Sequence, residues 1–273
     1  MAYGCEQALL ENDPIKRLAL EWLGTTHLGD RSRNHYLMRA LRKITLPENA
    51  AVLNAGCANG AHSFYLAERY PGWEITGVEI ESEKIGRAKT IADRKGTQNL
   101  SFQVGDIQGL PFTESFHLIF SMHVLTFLKD DVQALKRFSR ALKRGGYLIL
   151  SVPTPPGPPL RQRLFPFLSR SEKNNPSPQE SSVRCNVERF GYTKEELEGK
   201  LEQADLRSLH ISYPAGPIWQ SACVFEKSIK KRKFLRRLVH PFLIFLVDLD
   251  QWLPIEYRYP IGQDCLVIAQ RPT

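Results

Sequence analysis

The stretch that most constrains the fold is residues 51–60, where a short apolar run ends in a loop punctuated by Gly56 and Gly60. From Ala61 onward the apolar residues take the spacing of a helix, so the order is buried strand, glycine turn and helix. Glycines let a backbone approach a ligand closely, and the first turn of a helix presents free N–H groups. The stretch therefore predicts a nucleotide-binding crevice at the carboxyl end of the first strand.

The next two predicted strands place further ligand-binding groups beside this loop. Residues 73–79 form a second strand that ends in Glu79, about 20 residues beyond the loop, where a carboxylate accepts both hydroxyls of a ribose. Ile80 is then free to lie against an adenine face. After a helix over 83–94, a third strand over 100–104 precedes Asp106, whose turn offers an acceptor to the adenine amine. Three consecutive strand ends thus predict a site for an adenine nucleoside.

These residues, with the pattern that follows them, resemble the class I S-adenosylmethionine-dependent methyltransferases of the small-molecule type. The similarity continues through residues 105–112, a fourth strand at 116–121 and a helix–strand unit at 138–153. The resemblance implies an α/β fold, a Rossmann-like, doubly wound sheet of seven strands that is mostly parallel with an antiparallel last strand. It also implies S-adenosyl-L-methionine as cofactor and methyl transfer to a small-molecule acceptor, with an oxygen of a sugar, lipid or other metabolite as the expected target.

The predicted site collects the loop, the ribose acid and the turns after the following strands. Its cofactor-binding residues are Asn54, Ala55, Gly56, Ala58, Gly60, Glu79, Ile80, Asp106, Ile107 and Ser121. His123, just beyond the fourth strand, is the predicted catalytic base for a hydroxyl acceptor, because an imidazole titrates near neutral pH. A structural histidine that bonds a neighbouring loop is the alternative interpretation of His123. We expect no metal ion in this site.

Several positions depart from the family pattern. Asn54 and His117 stand where the family usually has aspartate, and Ala58 stands where it has glycine. Asn54 keeps its hydrogen-bonding capacity without the charge, and a left-handed conformation at Ala58 would cost about 1–2 kcal/mol. These changes keep a second interpretation open, a binding or scaffold protein whose catalytic pocket has decayed.

Two other enzyme classes share the predicted fold. A nicotinamide-dependent oxidoreductase would use the same loop and ribose acid, but residues 56–60 lack the G-x-G-x-x-G spacing. An aminopropyl transferase would need an acidic pair after the fourth strand, where no such pair is evident. Both classes therefore rank below the methyltransferase.

The net charge of +8 raises the question of which partner the chain meets. Methyltransferases that act on base nitrogens carry an Asn/Asp-Pro-Pro-aromatic run after the fourth strand, whereas residues 121–124 read Ser-Met-His-Val, so nucleic acid is disfavoured. Much of the positive charge lies in 227–237, directly before an apolar run at 238–247. That run is too short to span a bilayer. It predicts buried core, a cap over the substrate cleft, or a peripheral membrane or lipid contact over 227–252.

The length suits one elaborated α/β domain. We expect a helical N-terminal segment over 1–47, the cofactor-binding half over 48–153, a mobile insertion or lid over 154–190, and the C-terminal half over 191–273 with a cap-like insertion at 216–262. The N-terminal helices are predicted over 6–23, interrupted by Pro14, and over 35–46. Five cysteines without paired spacing indicate reduced thiols. With no secretion signal, the expected location is the cytoplasm, peripheral to the membrane if the apolar run meets lipid.

Overall fold

The computed structural model describes residues 3–25, 27–155, 188–189, 191–214, 222, 225–226, 239, 242–246, 248–249 and 264–273. Most of the predicted lid at 154–190 and of the predicted cap insertion at 216–262 lies outside the described residues. None of the helices in the described segments combines enough length with enough apolar character to cross a bilayer.

Seven strands form one sheet. In chain order they are β1 (Ala51–Ala55), β2 (Glu74–Glu79), β3 (Leu100–Val104), β4 (Phe116–Met122), β5 (Leu142–Pro153), β6 (Arg207–Ser212) and β7 (Asp264–Gln270). Across the sheet the order is β3-β2-β1-β4-β5-β7-β6. Neighbours from β3 to β5 are parallel, whereas β7 lies antiparallel to both β5 and β6. The prediction of a mostly parallel, doubly wound sheet with an antiparallel last strand is confirmed.

Helices cover both faces of this sheet. In chain order, α1 (Pro14–Leu23) follows a 3₁₀ helix over Cys5–Leu10 and contacts that element, burying none of its own residues. The helices that pack on the sheet are α2 (Leu28–Leu41), α3 (Ala61–Arg69), α4 (Ser82–Lys95), α5 (Asp131–Ala141) and α6 (Lys194–Glu202). The central strand β1 serves both layers, because successive side chains of a strand point to opposite faces. Val52 packs in the layer that contains Leu37 of α2, while Leu53 packs in the layer that contains Phe138 of α5.

The N-terminal helices differ from their predicted bounds. The first predicted helix is split into the 3₁₀ helix and α1, which starts at Pro14 because proline suits the first helical position. Asp13 caps α1, since its carboxylate accepts the N–H groups of Ile15 and Lys16 at 2.9 and 3.2 Å. The second helix begins well before residue 35, because Nδ1 of His27 caps it by accepting the Asp30 N–H at 3.3 Å.

His117 stabilises the amino end of the central strands. Its Nδ1 accepts the N–H of Ala51 at 2.9 Å, and its Nε2 lies 3.1 Å from the Lys143 ammonium. Burial and the neighbouring Lys143 charge lower the pKa of His117, which favours the neutral ring that this acceptor role requires. This departure from the family pattern therefore lies at the edge of the sheet opposite to the predicted cofactor site.

Candidate functional site

The carboxyl ends of four parallel strands meet at one edge of the sheet and bring the predicted residues together. Ala55 pairs with Val78, and Glu79 pairs with Val104, so the ends of β1, β2 and β3 lie side by side. On the other side of β1, β4 runs parallel and leads into His123. The glycine loop, Glu79, Asp106 and His123 thus follow neighbouring strands, as expected for a ligand site at a topological switch point.

The glycine loop turns tightly back over the end of β2. The N–H groups of Gly56 and Cys57 donate to the Val78 carbonyl at 2.8 and 3.0 Å. Gly56 has a φ of 79°, and a Cβ at this position would lie 2.4 Å from Cγ2 of Val124. Glycine is therefore required here both by the left-handed backbone and by the close approach of the chain after β4.

Ala58 also adopts a left-handed backbone, with a φ of 47°. A positive φ strains the backbone of an alanine, so the strain that was predicted for a left-handed conformation is present at Ala58. Replacing Ala58 with glycine is expected to stabilise the fold by up to about 1 kcal/mol, since glycine tolerates positive φ but loses more chain entropy on folding. Urea unfolding monitored by circular dichroism measures this difference.

Ala92, inside α4, provides the matched control for that substitution. Its change to glycine is expected to destabilise the fold by about 1 kcal/mol, because a helix interior gains nothing from glycine. A lower unfolding midpoint for Ala58→Gly would show instead that the Ala58 methyl group contributes packing that outweighs its backbone strain.

The Glu79 carboxylate links the end of β2 to the loop. Its Oε2 accepts the N–H of Ala58 at 3.0 Å, and its Oε1 accepts the N–H groups of Ile80 and Glu81 at 2.9 and 3.3 Å. A carboxylate has about four acceptor positions, so it can take further donors from a bound ligand. The Ile80 side chain beside it is 64% exposed, which leaves an apolar face open to a ring.

Three predicted cofactor residues have side chains that are buried beneath the site. Asn54 donates from Nδ2 to Oγ of Ser63 at 2.9 Å, and Ser121 donates from Oγ to the Ala55 carbonyl at 2.8 Å. Ile107 is also buried. These side chains are occupied by contacts within the fold. Any contact that these three residues make with a ligand therefore comes from their backbone groups. Asp106 is exposed and caps the next 3₁₀ turn by accepting the Gln108 N–H at 2.9 Å.

His123 follows β4 in a left-handed conformation, with a φ of 60°. Its N–H donates to the Ser151 carbonyl of β5 at 2.7 Å. The ring Nε2 lies 2.9 Å from Oδ1 of Asp264, the first residue of β7. Nε2 has no hydrogen-bond partner of good geometry among the described residues, so the contact has the distance of a hydrogen bond without its alignment. The contact brings a ring nitrogen close to a buried carboxylate oxygen.

Asp264 is the functional candidate that sequence reasoning missed. Its side chain is almost fully buried, and β7 otherwise presents apolar residues over 265–269. A single acid at the start of an apolar strand is a usable signal, because a buried carboxylate requires a partner. What the sequence could not supply was the partner, since His123 is far away along the chain.

Two other polar groups near the loop are held in neutral forms. Burial, with the Glu79 charge as a second cause, raises the pKa of the Cys57 thiol to about 12, so it is not a thiolate nucleophile. Burial lowers the pKa of His62 to about 4. The Tyr3 hydroxyl lies 3.2 Å from Nδ1 of His62, which joins the N-terminal segment to the start of α3. His62 is therefore suited to packing and hydrogen bonding rather than to proton transfer near neutral pH.

Other polar residues near this edge make contacts that stabilise the fold. The buried Tyr192 donates to Oδ2 of Asp131 at 2.8 Å, and Arg189 stacks 4.5 Å from the Tyr192 ring centroid. A cavity of about 520 Å³ lies at the opposite edge of the sheet, between the end of α6 and the start of β6. It contains none of the predicted site residues, so the site is defined by the strand ends.

A family model described as a methyltransferase domain matches residues 46–205. This span begins just before β1 and includes every predicted cofactor residue as well as His123. Among solved structures, phosphoethanolamine N-methyltransferase 2 of Haemonchus contortus, in complex with S-adenosyl-L-methionine, superposes with a TM-score of 0.59 at 15% identity, covering 88% of this chain and 53% of that one. At this identity the likeness concerns the fold.

Curated relatives share this core. Aklanonic acid methyltransferase of Streptomyces sp. (strain C5) is 33% identical over 120 residues, which are 43% of this chain and 52% of that protein. Malonyl-[acyl-carrier protein] O-methyltransferase of Bacillus anthracis is 25% identical over 205 residues, which are 75% of this chain and 69% of that protein. The chain spans about half the length of the first of these relatives. Because the family model covers more than half of the chain, the protein is a member of the methyltransferase-domain family, the class I S-adenosylmethionine-dependent methyltransferases.

Proposed function

We propose that this protein transfers the methyl group of S-adenosylmethionine to an oxygen of a small-molecule acceptor such as a sugar, a lipid or another metabolite. The observation that carries the oxygen assignment is the pair formed by His123 and Asp264, whose Nε2 and Oδ1 atoms are 2.9 Å apart at the carboxyl edge of the sheet. A hydroxyl acceptor must lose its proton, and an imidazole with a buried carboxylate beside it is suited to take one.

The residues present fit the cofactor. Glu79 offers a carboxylate to the ribose hydroxyls, Ile80 offers an apolar face to the adenine, and Asp106 offers an acceptor to the adenine amine. The buried Oδ1 of Asn59, in the glycine loop, has no hydrogen-bond partner among the described residues and is available to a polar ligand group. When bound, the cofactor supplies an activated methyl group on a sulfonium.

The protein's own contribution is then alignment, exclusion of water and transfer of one proton. The His123 ring accepts the acceptor's hydroxyl proton at Nδ1, while its Nε2 lies 2.9 Å from Oδ1 of Asp264. Asp264 stabilises the imidazolium that results, because their opposite charges lie close together in a buried setting.

The names of the relatives support an oxygen acceptor without identifying it. One relative is named malonyl-[acyl-carrier protein] O-methyltransferase, and another is named aklanonic acid methyltransferase. The family match also favours this class over a nicotinamide-dependent oxidoreductase. The strained Ala58 and the buried Asn54 favour the second candidate, a protein whose catalytic pocket has decayed.

Isothermal titration with S-adenosylmethionine and S-adenosylhomocysteine separates these two candidates. We expect micromolar binding of both ligands, followed by methyl transfer from radiolabelled cofactor to a member of a panel of hydroxylated sugars, lipids and phenols. Absence of binding by both ligands would support the decayed pocket. Binding with transfer only to amines would refute the oxygen assignment.

Glu79→Gln is expected to weaken S-adenosylhomocysteine binding by roughly 10- to 100-fold, because hydrogen bonds to a charged carboxylate contribute about 1.5–3 kcal/mol. Glutamine keeps one of the two oxygens that accept backbone N–H groups, so circular dichroism is used to check that the variant remains folded. Glu81→Gln is the matched control, since the Glu81 carboxylate lies beside the site and pairs with Lys84. Equal affinities for the two variants, both folded by circular dichroism, would remove Glu79 from the ribose site.

A further inference from the structure

Helix α1 presents an apolar stripe that nothing in the described structure covers. Ile15, Leu18 and Trp22 lie on one side of the helix at the spacing i, i+3 and i+7, and none of the residues of α1 is buried. Trp22 is 79% exposed. An amphipathic helix of a globular domain normally packs such a stripe against the core, so this one is arranged for contact with another apolar medium.

A second stripe of the same kind lies in the segment before β7. Residues 242–246 and 248–249 are helical, and Leu243 and Ile244 pack into the core layer that contains α2 and α3. Phe242, Phe245 and Leu249 are exposed at the same i, i+3 and i+7 spacing, with Phe245 60% exposed. This segment is therefore anchored by one apolar face while it presents another to the surroundings.

Arg31 of α2 connects the two stripes. Its Nη1 donates to the Leu23 carbonyl at the end of α1, at 2.6 Å, and its Nη2 donates to Oδ2 of Asp248 at 2.5 Å. Nε2 of His35 lies 3.2 Å from the other oxygen of Asp248. The end of α1 and the residues around Asp248 are thus held on either side of one guanidinium. We call the six exposed side chains of the two stripes the two-stripe surface.

Positive charge accompanies the two-stripe surface. On α1 the exposed Lys16 and Arg17 pair with Asp13 and Glu21, so the excess positive charge is that of the sequence before the second stripe. In the sequence, seven of the eleven residues over 227–237 are lysine or arginine, and this basic run ends four residues before the segment that carries the second stripe. A second copy of the chain is a poor occupant, because a symmetric interface sets like surfaces against each other and two chains of charge +8 repel.

We propose that the two-stripe surface binds the surface of an anionic phospholipid bilayer. Tryptophan, phenylalanine and leucine side chains favour the boundary between headgroups and acyl chains, where a helix lies in the plane of the interface. Basic residues near such a surface each add about 1 kcal/mol of attraction to anionic lipid. The exposed apolar side chains supply the apolar contact, and the basic run that precedes the second stripe in the sequence favours anionic lipid.

Vesicle flotation with the full chain tests this proposal. The protein is expected to float with phosphatidylcholine vesicles that contain about 30 mol% phosphatidylserine, and to float far less with pure phosphatidylcholine. Raising the salt concentration is expected to weaken binding because it screens the charges. The double variant Trp22→Ser/Phe245→Ser is expected to bind roughly tenfold or more weakly, since two large apolar side chains no longer enter the interface.

Leu209→Ser is the matched control, because Leu209 is an exposed apolar residue of β6 outside the two-stripe surface. An equal loss of flotation for the control, or no flotation of the full chain, would overturn the proposal. So would a dimer that the double variant abolishes while flotation is unchanged, since the second copy would then be the occupant. Binding of S-adenosylhomocysteine by the double variant is expected to be unchanged, which keeps this test separate from that of the methyltransferase activity.

Discussion

Replacing His123 with asparagine is expected to lower turnover by about 100- to 10,000-fold, which is the usual contribution of a positioned general base. Asparagine tolerates the left-handed backbone that His123 adopts, so the turn after β4 is expected to remain as it is. It cannot accept a proton from the acceptor hydroxyl. S-adenosylhomocysteine affinity is expected to be unchanged, because the predicted cofactor contacts lie on other strand ends. Single-turnover methyl transfer and isothermal titration measure the two quantities.

Asp264→Asn provides the test of how the pair works. Because Asp264 acts through the His123 ring, the single variant is expected to lose roughly 10- to 100-fold in turnover, and the double variant is expected to be no slower than His123→Asn alone. His27→Asn is the matched control, since His27 is exposed at the start of α2 and asparagine is a good cap there. Full activity of a folded His123→Asn enzyme would identify His123 as a structural residue.

Gly56→Ala is expected to destabilise the fold by about 2–5 kcal/mol and to abolish measurable cofactor binding. The left-handed backbone costs about 1–2 kcal/mol for alanine, and the overpacking against Val124 costs about 1–3 kcal/mol more. The new Cβ would lie 2.4 and 2.8 Å from the two Cγ atoms of Val124. Either the loop or the turn after His123 must move, and both belong to the predicted site. Urea unfolding and isothermal titration follow the two effects.

Two further variants separate strain from clash at Gly56. Val124→Ala removes both Cγ atoms, so in combination with Gly56→Ala it is expected to recover the overpacking part of the loss while the backbone strain persists. Gly86→Ala is the control, because Gly86 lies inside α4 with no atom near its missing Cβ, and alanine is expected to stabilise that helix by about 0.5–1 kcal/mol. Unchanged cofactor affinity in Gly56→Ala would show that the loop does not approach the ligand.

The strands and their polar ends were accessible from the sequence. The third strand has the predicted bounds, 100–104, and Glu79 ends β2 beside the glycine loop as expected. These features follow from short-range patterns, because parallel strands are apolar runs and their ends carry glycines and acids. The fold class followed from the same succession of strands and helices together with the family resemblance.

Side-chain direction and distant contacts were not accessible. The sequence of a strand does not show that Asn54 bonds Ser63 or that Ser121 bonds the Ala55 carbonyl. A polar side chain that bonds the fold and one that faces a ligand fit the same apolar pattern. The contact between His123 and Asp264 depends on where β7 enters the sheet. The start of α2 was missed because histidine is an unusual residue for capping a helix.

The position of β7 limits the order in which the strands of the sheet can pair during synthesis. Because β7 lies between β5 and β6, the sixth strand has no neighbour among the described strands until the seventh is added. During synthesis the open edge of β5 is therefore exposed while more than a hundred further residues are added, a state in which strands are prone to pair with other chains. The same step delivers Asp264, so closure of the sheet and assembly of the His123 pair are a single event.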